Sequence, residues 1–426
     1  MMRISIPSDL SPISVLSILA VCSRLAHLFI LHILNRFLPL FDTSPSLVIS
    51  SPPPALRWDA IHFASIASRG YEYEQQLAFQ PGWLGVMRLA GKGLSFLRGG
   101  NVVDVQDVLI GGTLFANAAF VGSSIMLYKL TLFLFHPTFA FLTSLLYLLP
   151  PTVAPSAPYT EPFYSLLTFT GIYLLFAKRQ NLMGTLCLAG ATSVRATGML
   201  NSLIIVVSAL PLKSDVKINN LATVPSIVRM FETFVKSISL IAPFVVFQVY
   251  ANMAFCSPNG KLVGTILHWC DSRLPVSYGF VQKLYWNVGP FRYWTVAQLP
   301  NIALALPILV VSAMGIRNMF RQSLPSSKPK AHTAPPPLKP IILALYTVHA
   351  LNMALLLFTS HTQIALRVCL GDPVIWWNVA EMAFDWDNTM EGKGFGVTRL
   401  GKWWIGWTVL WGAAATVLWA GHYPPA

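Results

Sequence analysis

The stretch RWDAIHFASIASRGYEYEQQLAFQPG, residues 57–82, places Asp59 beside Trp58 and three residues before His62. On a helix Asp59 and His62 share a face. A carboxylate flanked by aromatic rings near a membrane surface suits a general base that takes the proton of an attacking sugar hydroxyl. The competing reading makes Asp59 a helix cap and Trp58 an interfacial anchor. Arg57, His62, Glu74 and Gln80 of the same stretch either bind sugar or hold Asp59 in place.

Three further clusters carry polar chemistry. Tyr159-Thr160-Glu161-Pro162 follows the proline-rich LLPPTVAPSAP. Glu161 there either faces the positive end of a helix or serves a site, since an acid at a membrane boundary is costly unless paired or solvated. Arg195, in TSVRATG, lies between two apolar runs and needs an anionic partner, either Glu161, Asp59 or a ligand phosphate. SHTQIALR supplies His361 and Arg367. These either anchor the chain by snorkelling or place a second cation near a lipid phosphate. The aromatic loop YWNVGPFRYW is suited to the headgroup level.

These side chains need scaffolds, and the rest of the chain indicates which. Of 426 residues, 54% are hydrophobic and 11% charged, against roughly 25% charged in soluble domains. The mean hydropathy is +0.59. An all-α polytopic membrane protein is expected. Apolar runs of about 20 residues fall at 13–40, 108–134, 138–157, 159–177, 234–255, 296–316, 341–360 and 403–421. The run Leu182 to Leu212 is too long for one span and has Arg195 and Gly198 at its midpoint. A charge at the bilayer centre costs at least roughly 2.5–3.5 kcal/mol, so this run reads as two short helices meeting at a turn near one face. The expected total is ten membrane segments.

The net charge of +13 is assigned to topology rather than to a nucleic-acid partner. Lys178, Arg179, Lys213, Lys217, Arg229, Lys236, Arg317, Arg321, Lys328, Lys330 and Lys339 fall on alternate loops, where Asp215 and Glu232 are the only acids. Ten spans place those loops and both termini in the cytosol. The opposite side receives the connections 41–107, 256–298 and 361–402, which hold twelve of the sixteen acids. Arg24 and Arg36, without a small-residue cleavage site, indicate a retained first span. Residues 321–340, rich in Pro, Ser and Lys from Ser323 on, read as a flexible cytosolic linker. Cys256 and Cys270 share one non-cytosolic loop, where an oxidising lumen permits a disulfide; sequence alone does not supply their separation. Walker loops, CxxC pairs, HExxH and GxSxG patterns are lacking, and Gly91, Gly93, Gly99 and Gly100 have no strand–helix context. Nucleotide cofactors and bound zinc are not expected.

With the clusters in this order, the chain resembles the eukaryotic GPI mannosyltransferase 2 family, the PIG-V family. Residues 57–82 resemble its W-D-A-x-H-F core followed by G-Y-x-Y-E and F-x-P-G. PYTEPFYSLLTF resembles its Y-[ST]-E segment, SVRATG its V-R-S-N-G turn, and SHTQIALR its H-x-Q-x-x-x-R segment. The segment WCDSRLPVSYGFVQKLYWNVGPFRYWTVAQLPNIALALP resembles its long loop entering a late helix. Thr197 departs from the Asn usual in the turn, so an amide-specific role is not carried there. The resemblance implies a GT-C type glycosyltransferase of the endoplasmic reticulum membrane. Such an enzyme adds the second, α-1,6-linked mannose of a GPI precursor from dolichyl phosphate mannose, with Asp59 as base, no cofactor, and a smaller accessory membrane subunit. The rivals are another GT-C mannosyltransferase, acting on a different GPI mannose or on protein hydroxyls, a lipid or solute transporter, and a non-catalytic scaffold. A transporter predicts inverted repeats, and the two halves show none.

Overall fold

The computed structural model describes residues 11–100, 102–210, 224–257, 269–322, 338–386 and 396–423. Among them the regular elements are helices, and the one pairing of extended backbone is the bridge between Phe384 and Val397. In chain order the helices are α1 Pro12–Phe37, α2 Asp59–Arg69, α3 Pro81–Leu97, α4 Val105–Leu134, α5 Pro137–Tyr147, α6 Thr160–Phe176, α7 Asn181–Val194 and α8 Ser202–Ala209. There follow α9 Val224–Phe255, α10 Ser277–Trp286, α11 Leu299–Gln322, α12 Lys339–Phe358, α13 Ala365–Val368, α14 Pro373–Ala383 and α15 Arg399–Ala420.

Five of these segments are long and apolar enough to cross a bilayer, in α1, α4, α9, α11 and α12. A helix of about 20 residues matches a 30 Å hydrocarbon layer, whereas α5, α7 and α8 are shorter apolar pieces. Helix α9 leaves Ile227, Phe231, Phe234, Ile238, Val246 and Val249 exposed along its length, the surface expected to meet lipid rather than water. Buried side chains form two main clusters. One is centred on α4, α5, α6, α12 and α14, and the other gathers α2, α3, Tyr159, Phe247, Trp269 and Trp419 beneath the polar segments.

Small residues set the closest helix crossings. A Cβ added at Gly91 of α3 would lie 2.9 Å from the Cα of Val108 on α4, and one at Gly184 of α7 would lie 2.9 Å from the carbonyl oxygen of Gly171 on α6. Backbones pack this closely only where no side chain intervenes, a common device between membrane helices. Gly91 thus acts in helix packing.

Several expected boundaries are corrected. The run 138–157 is not one span: α5 stops at Tyr147, and the chain continues as a connection that is buried over 151–159, with a 3-10 turn at Ala154–Ser156. Pro150, Pro151, Pro155 and Pro158 withhold backbone donors there. The connection 41–107 contains α2 and α3, and α4 already starts at Val105. The connection 256–298 contains α10, and 361–402 contains α13, the buried α14 and the start of α15. Leu182 to Leu212 divides as expected, into α7 and α8 around a 3-10 turn at Ala196–Asn201. The linker 321–340 overlaps α11 and α12 at its ends, and 323–337 lies outside the described residues, as do Lys213, Asp215 and Lys217.

Candidate active site

The site starts at the entry to α2. Trp58 adopts φ 52° and ψ −123°, a backbone conformation that costs a bulky residue on the order of 1–3 kcal/mol. Contacts on both sides hold it. The Trp58 N–H donates to Nε2 of His422 at 3.4 Å, and the two rings meet edge to face at 4.7 Å. The Asp59 N–H donates to the Tyr159 hydroxyl at 3.2 Å, which donates to the Arg57 carbonyl at 3.3 Å. Asp59 is therefore the first residue of the helix, not its cap, and its side chain is turned toward another element.

Its Oδ2 accepts from the Arg367 guanidinium at 2.8 Å. Arg367 also lies 3.8 Å from Glu161 Oε1, and that oxygen accepts from Arg195 at 2.6 Å. Arg195 donates further to Thr160 Oγ1 at 2.8 Å. The four charges alternate as Asp59, Arg367, Glu161 and Arg195, supplied by α2, α13, α6 and the α7–α8 turn. Burial alone lowers the Arg367 pKa, but Asp59, Glu161 and Tyr159 raise it above its ordinary value, so the guanidinium stays charged. Asp59 keeps a side chain 31% exposed, and Oδ1 has no hydrogen-bond partner among the described residues.

The network opens on a cavity of about 560 Å³. Trp58, Asp59, Gln80, Tyr159, Glu161, Arg195, His361 and Arg367 all line it, and Leu355, Leu356 and Ile364 supply an apolar wall. His361 donates through Nε2 to the Trp286 carbonyl at 2.7 Å and stacks on Tyr293. Three residues expected to bind substrate are not part of the lining. Arg57 is fully buried and donates to the carbonyls of Pro53, Leu56 and Ala420, tying α2 to the end of α15; burial lowers its pKa to about 10. His62 stacks on Phe79 at 5.4 Å, and burial lowers its pKa despite the opposing effect of Asp59. Glu74 accepts from the indole of Trp269 and the hydroxyl of Tyr285, both at 2.7 Å. Desolvation and the bond to Glu74 push Tyr285 up to about 12. These three side chains work as struts.

Trp269 adjoins Cys270, which is joined to Cys256 with Cα atoms 5.5 Å apart. A crosslink over a sequence separation of 14 stabilises by roughly 3 kcal/mol in the loop-entropy account. Cys256→Ser is expected to lower stability by about that amount in thermal unfolding, with loss of the Trp269–Glu74 contact. An unchanged melting temperature would show the bridge to be energetically idle.

Sequence reading missed Gln282 of α10, Asn352 of α12 and Trp419, and assigned Trp286 to the headgroup level; all four line the cavity. Asn352 left a signal, because it lies three residues after His349 in an otherwise apolar helix. His349 itself is buried and bonded to Asp372 at 2.6 Å. His422 was missed entirely. Its Nδ1–H donates to the Asp42 carbonyl, leaving Nε2 free to accept from Trp58. Burial lowers its pKa below the ordinary 6.5. The unfolded chain therefore binds the proton more readily, so the group's contribution is complete above about pH 6.5 and declines as the pH falls below it. Thermal unfolding at pH 5.5 is expected a few degrees below that at pH 7.5, with a smaller gap in His422→Gln; equal gaps would remove His422 as the cause.

Among the described residues no three His, Cys, Asp or Glu side chains converge as a metal cluster. The residues able to meet an anion are Arg195 and Arg367.

The chain is similar to known proteins over most of its length. A Cryptococcus neoformans var. neoformans protein named GPI mannosyltransferase 2 is 57% identical over 98% of this chain and 100% of its own length. A Yarrowia lipolytica protein of the same name is 28% identical, covering 91% of this chain and 92% of its own. The Cricetulus griseus GPI alpha-1,6-mannosyltransferase 2 is 31% identical over 76% of this chain and 72% of its own. Among solved structures, an Archaeoglobus fulgidus oligosaccharyltransferase aligns with TM-score 0.47 and 12% identity, over 96% of this chain and 55% of that chain. The family profile described as Mannosyltransferase (PIG-V) matches residues 43–426, a range that takes in the whole Asp59–Arg367–Glu161–Arg195 network, and this chain belongs to that family.

Proposed function

We propose that this chain is a GT-C type mannosyltransferase of GPI-anchor assembly. It transfers mannose from dolichyl phosphate mannose to the 6-hydroxyl of the first mannose of the precursor, forming an α-1,6 linkage. The observation that carries the reading is Asp59, a partly exposed carboxylate at the rim of a cavity shared with two arginines.

Asp59 takes the hydroxyl proton as the acceptor oxygen bonds to the donor's anomeric carbon. The bond from that carbon to the phosphate oxygen breaks, and its electron pair leaves with dolichyl phosphate. Attack opposite the leaving group converts a β-linked donor into an α-linked product. The leaving phosphate goes from one negative charge to two, so stabilising charge matters more than a proton donor. Both arginines serve a carboxylate, but Arg367 spans Asp59 and Glu161 through Nη1 and Nε, whereas Arg195 meets Glu161 and Thr160 through Nη1 alone, which leaves Arg195 as the better placed cation. The apolar wall of Leu355, Leu356 and Ile364 suits the first isoprene units, and fixing both reactants at the rim supplies the positional part of catalysis.

The proposal places the chain in the endoplasmic reticulum membrane as a multi-pass protein with the cavity lumenal. The loop charge bias supports that orientation. A smaller accessory membrane subunit is included on the family resemblance. The test is transfer from dolichyl phosphate mannose to a one-mannose GPI precursor by membranes containing this chain. A product with a second, α-1,6-linked mannose is expected. A different linkage or acceptor position would replace this reading with another mannosyltransferase, and no transfer would sink it.

A further inference from the structure

Gln80 ends the connection between α2 and α3, and the proposed proton transfer does not use it. Its side chain is 4% exposed, it lines the cavity, and neither Oε1 nor Nε2 has a hydrogen-bond partner among the described residues. A buried primary amide with both ends unsatisfied is disfavoured unless something else meets it. The indole Nε1 of Trp58, on the same cavity, is likewise buried and unpartnered.

The backbone fixes where Gln80 sits. Pro81 opens α3 immediately after it. Two residues on, a Cβ at Gly82 would lie 2.7 Å from the carbonyl oxygen of Ser193, so the start of α3 rests directly on the end of α7. Arg195 follows Ser193 by two residues, and both Gln80 and Arg195 face the cavity from these abutting elements. Phe79, held edge to face against Phe63 at 5.1 Å and Trp286 at 5.8 Å, stands next to Gln80. An amide offers one acceptor and two donors in a plane. That pattern matches two neighbouring hydroxyls, one donating to Oε1 and one accepting from Nε2, while aromatic rings cover the C–H face of a sugar.

We propose that Gln80 is a specificity-determining residue that binds the vicinal hydroxyls at C2 and C3 of the donor mannosyl group. The inference rests on the mannosyltransfer reading above. A sugar whose phosphate lies at Arg195 presents the hydroxyl next to its anomeric carbon toward the α3–α7 junction, and the axial C2 hydroxyl distinguishes mannose from glucose.

The experiment compares two donors on one enzyme preparation: a short-chain polyprenyl phosphate mannose and its 2-deoxy analogue. The ratio of their kcat/KM values is independent of how much protein folds. Wild type is expected to prefer the hydroxylated donor by roughly 10,000-fold, because a site that bonds a hydroxyl rejects the analogue lacking it. In Gln80→Ala the preference should fall to within about threefold. Gln80→Glu, which keeps the size but loses both N–H donors, is expected to fall between the two. Wild-type transfer with the same ratio in all three proteins would overturn the subsite alone. No wild-type transfer from either donor would overturn the mannosyltransfer reading, and the subsite with it.

Discussion

Asp59→Asn is expected to cut mannose transfer by roughly 1,000-fold or more, near the upper range for loss of a positioned general base, while the protein stays in the membrane at normal abundance. The substitution is nearly isosteric, and its amide oxygen still accepts from Arg367, which now meets Asp59 Oδ2 at 2.8 Å. The contacts that set the entry to α2 are backbone contacts, from Asp59 N–H to Tyr159 and from Trp58 N–H to His422, and the change leaves them intact. What disappears is the basicity needed at the moment the hydroxyl attacks. The assay is label transfer from dolichyl phosphate mannose to a one-mannose precursor, normalised to protein in the membrane fraction. Transfer within tenfold of wild type would remove Asp59 as the base and reopen the scaffold reading.

Arg195 and Glu161 give the second large effect, and here stability and activity part ways. Glu161 is 2% exposed and bonded to Arg195 at 2.6 Å. Arg195→Met leaves that carboxylate with the neutral Thr160 hydroxyl at 3.2 Å and, as its one cation, the more distant Arg367 at 3.8 Å. Removing one partner of a buried pair costs about 3–5 kcal/mol. Transfer should fall by roughly 100-fold to 1,000-fold, since one charged donor to a departing anion contributes on that scale. Adding Glu161→Gln to Arg195→Met removes the orphaned charge, so unfolding stability should recover by several kcal/mol. Activity should not recover, because the leaving phosphate still lacks its cation. If the double variant regains transfer together with stability, Arg195 is a structural partner of Glu161 and the phosphate is met elsewhere.

The polar members of the site were legible because the chain is apolar. Asp59, Glu161, Arg195 and Arg367 stand out in a sequence of low charge, and an ionised group near a membrane needs a partner or water, so an acid partner for Arg195 could be expected from the residue types, while the pairing of Arg367 with Asp59 could not. The alternation of the four charges could not, because it depends on how α13 lies against α2 and α6. The short helices were hidden for a different reason. Hydropathy reports contact with lipid, and α2, α3 and α14 form in connections that look like loops by that measure. Residues such as Trp286 and Asn352 join the cavity through helix packing, which spacing along one chain does not encode. The strain at Trp58 left no trace, since any residue type can be forced to positive φ when its neighbours demand it. For Arg57, His62 and Glu74 the sequence left sugar binding and bracing both open, and the three side chains brace the walls outside the cavity lining.

The anchors of Trp58 and Arg57 also set an order of events during synthesis. His422 is separated from Trp58 by 364 residues, Ala420 from Arg57 by 363, and Phe41 N–H donates to the Gly421 carbonyl at 2.8 Å. At about 5–20 residues per second, a ribosome needs roughly 20 to 70 s to deliver the second half of that clasp after the first. During that interval the entry to α2 is held on one side only, by Tyr159, which follows Asp59 by 100 residues. The twisted entry that positions Asp59 is therefore completed only after α15 has been made, and a nascent chain that stalls short of it lacks the second half of the clasp.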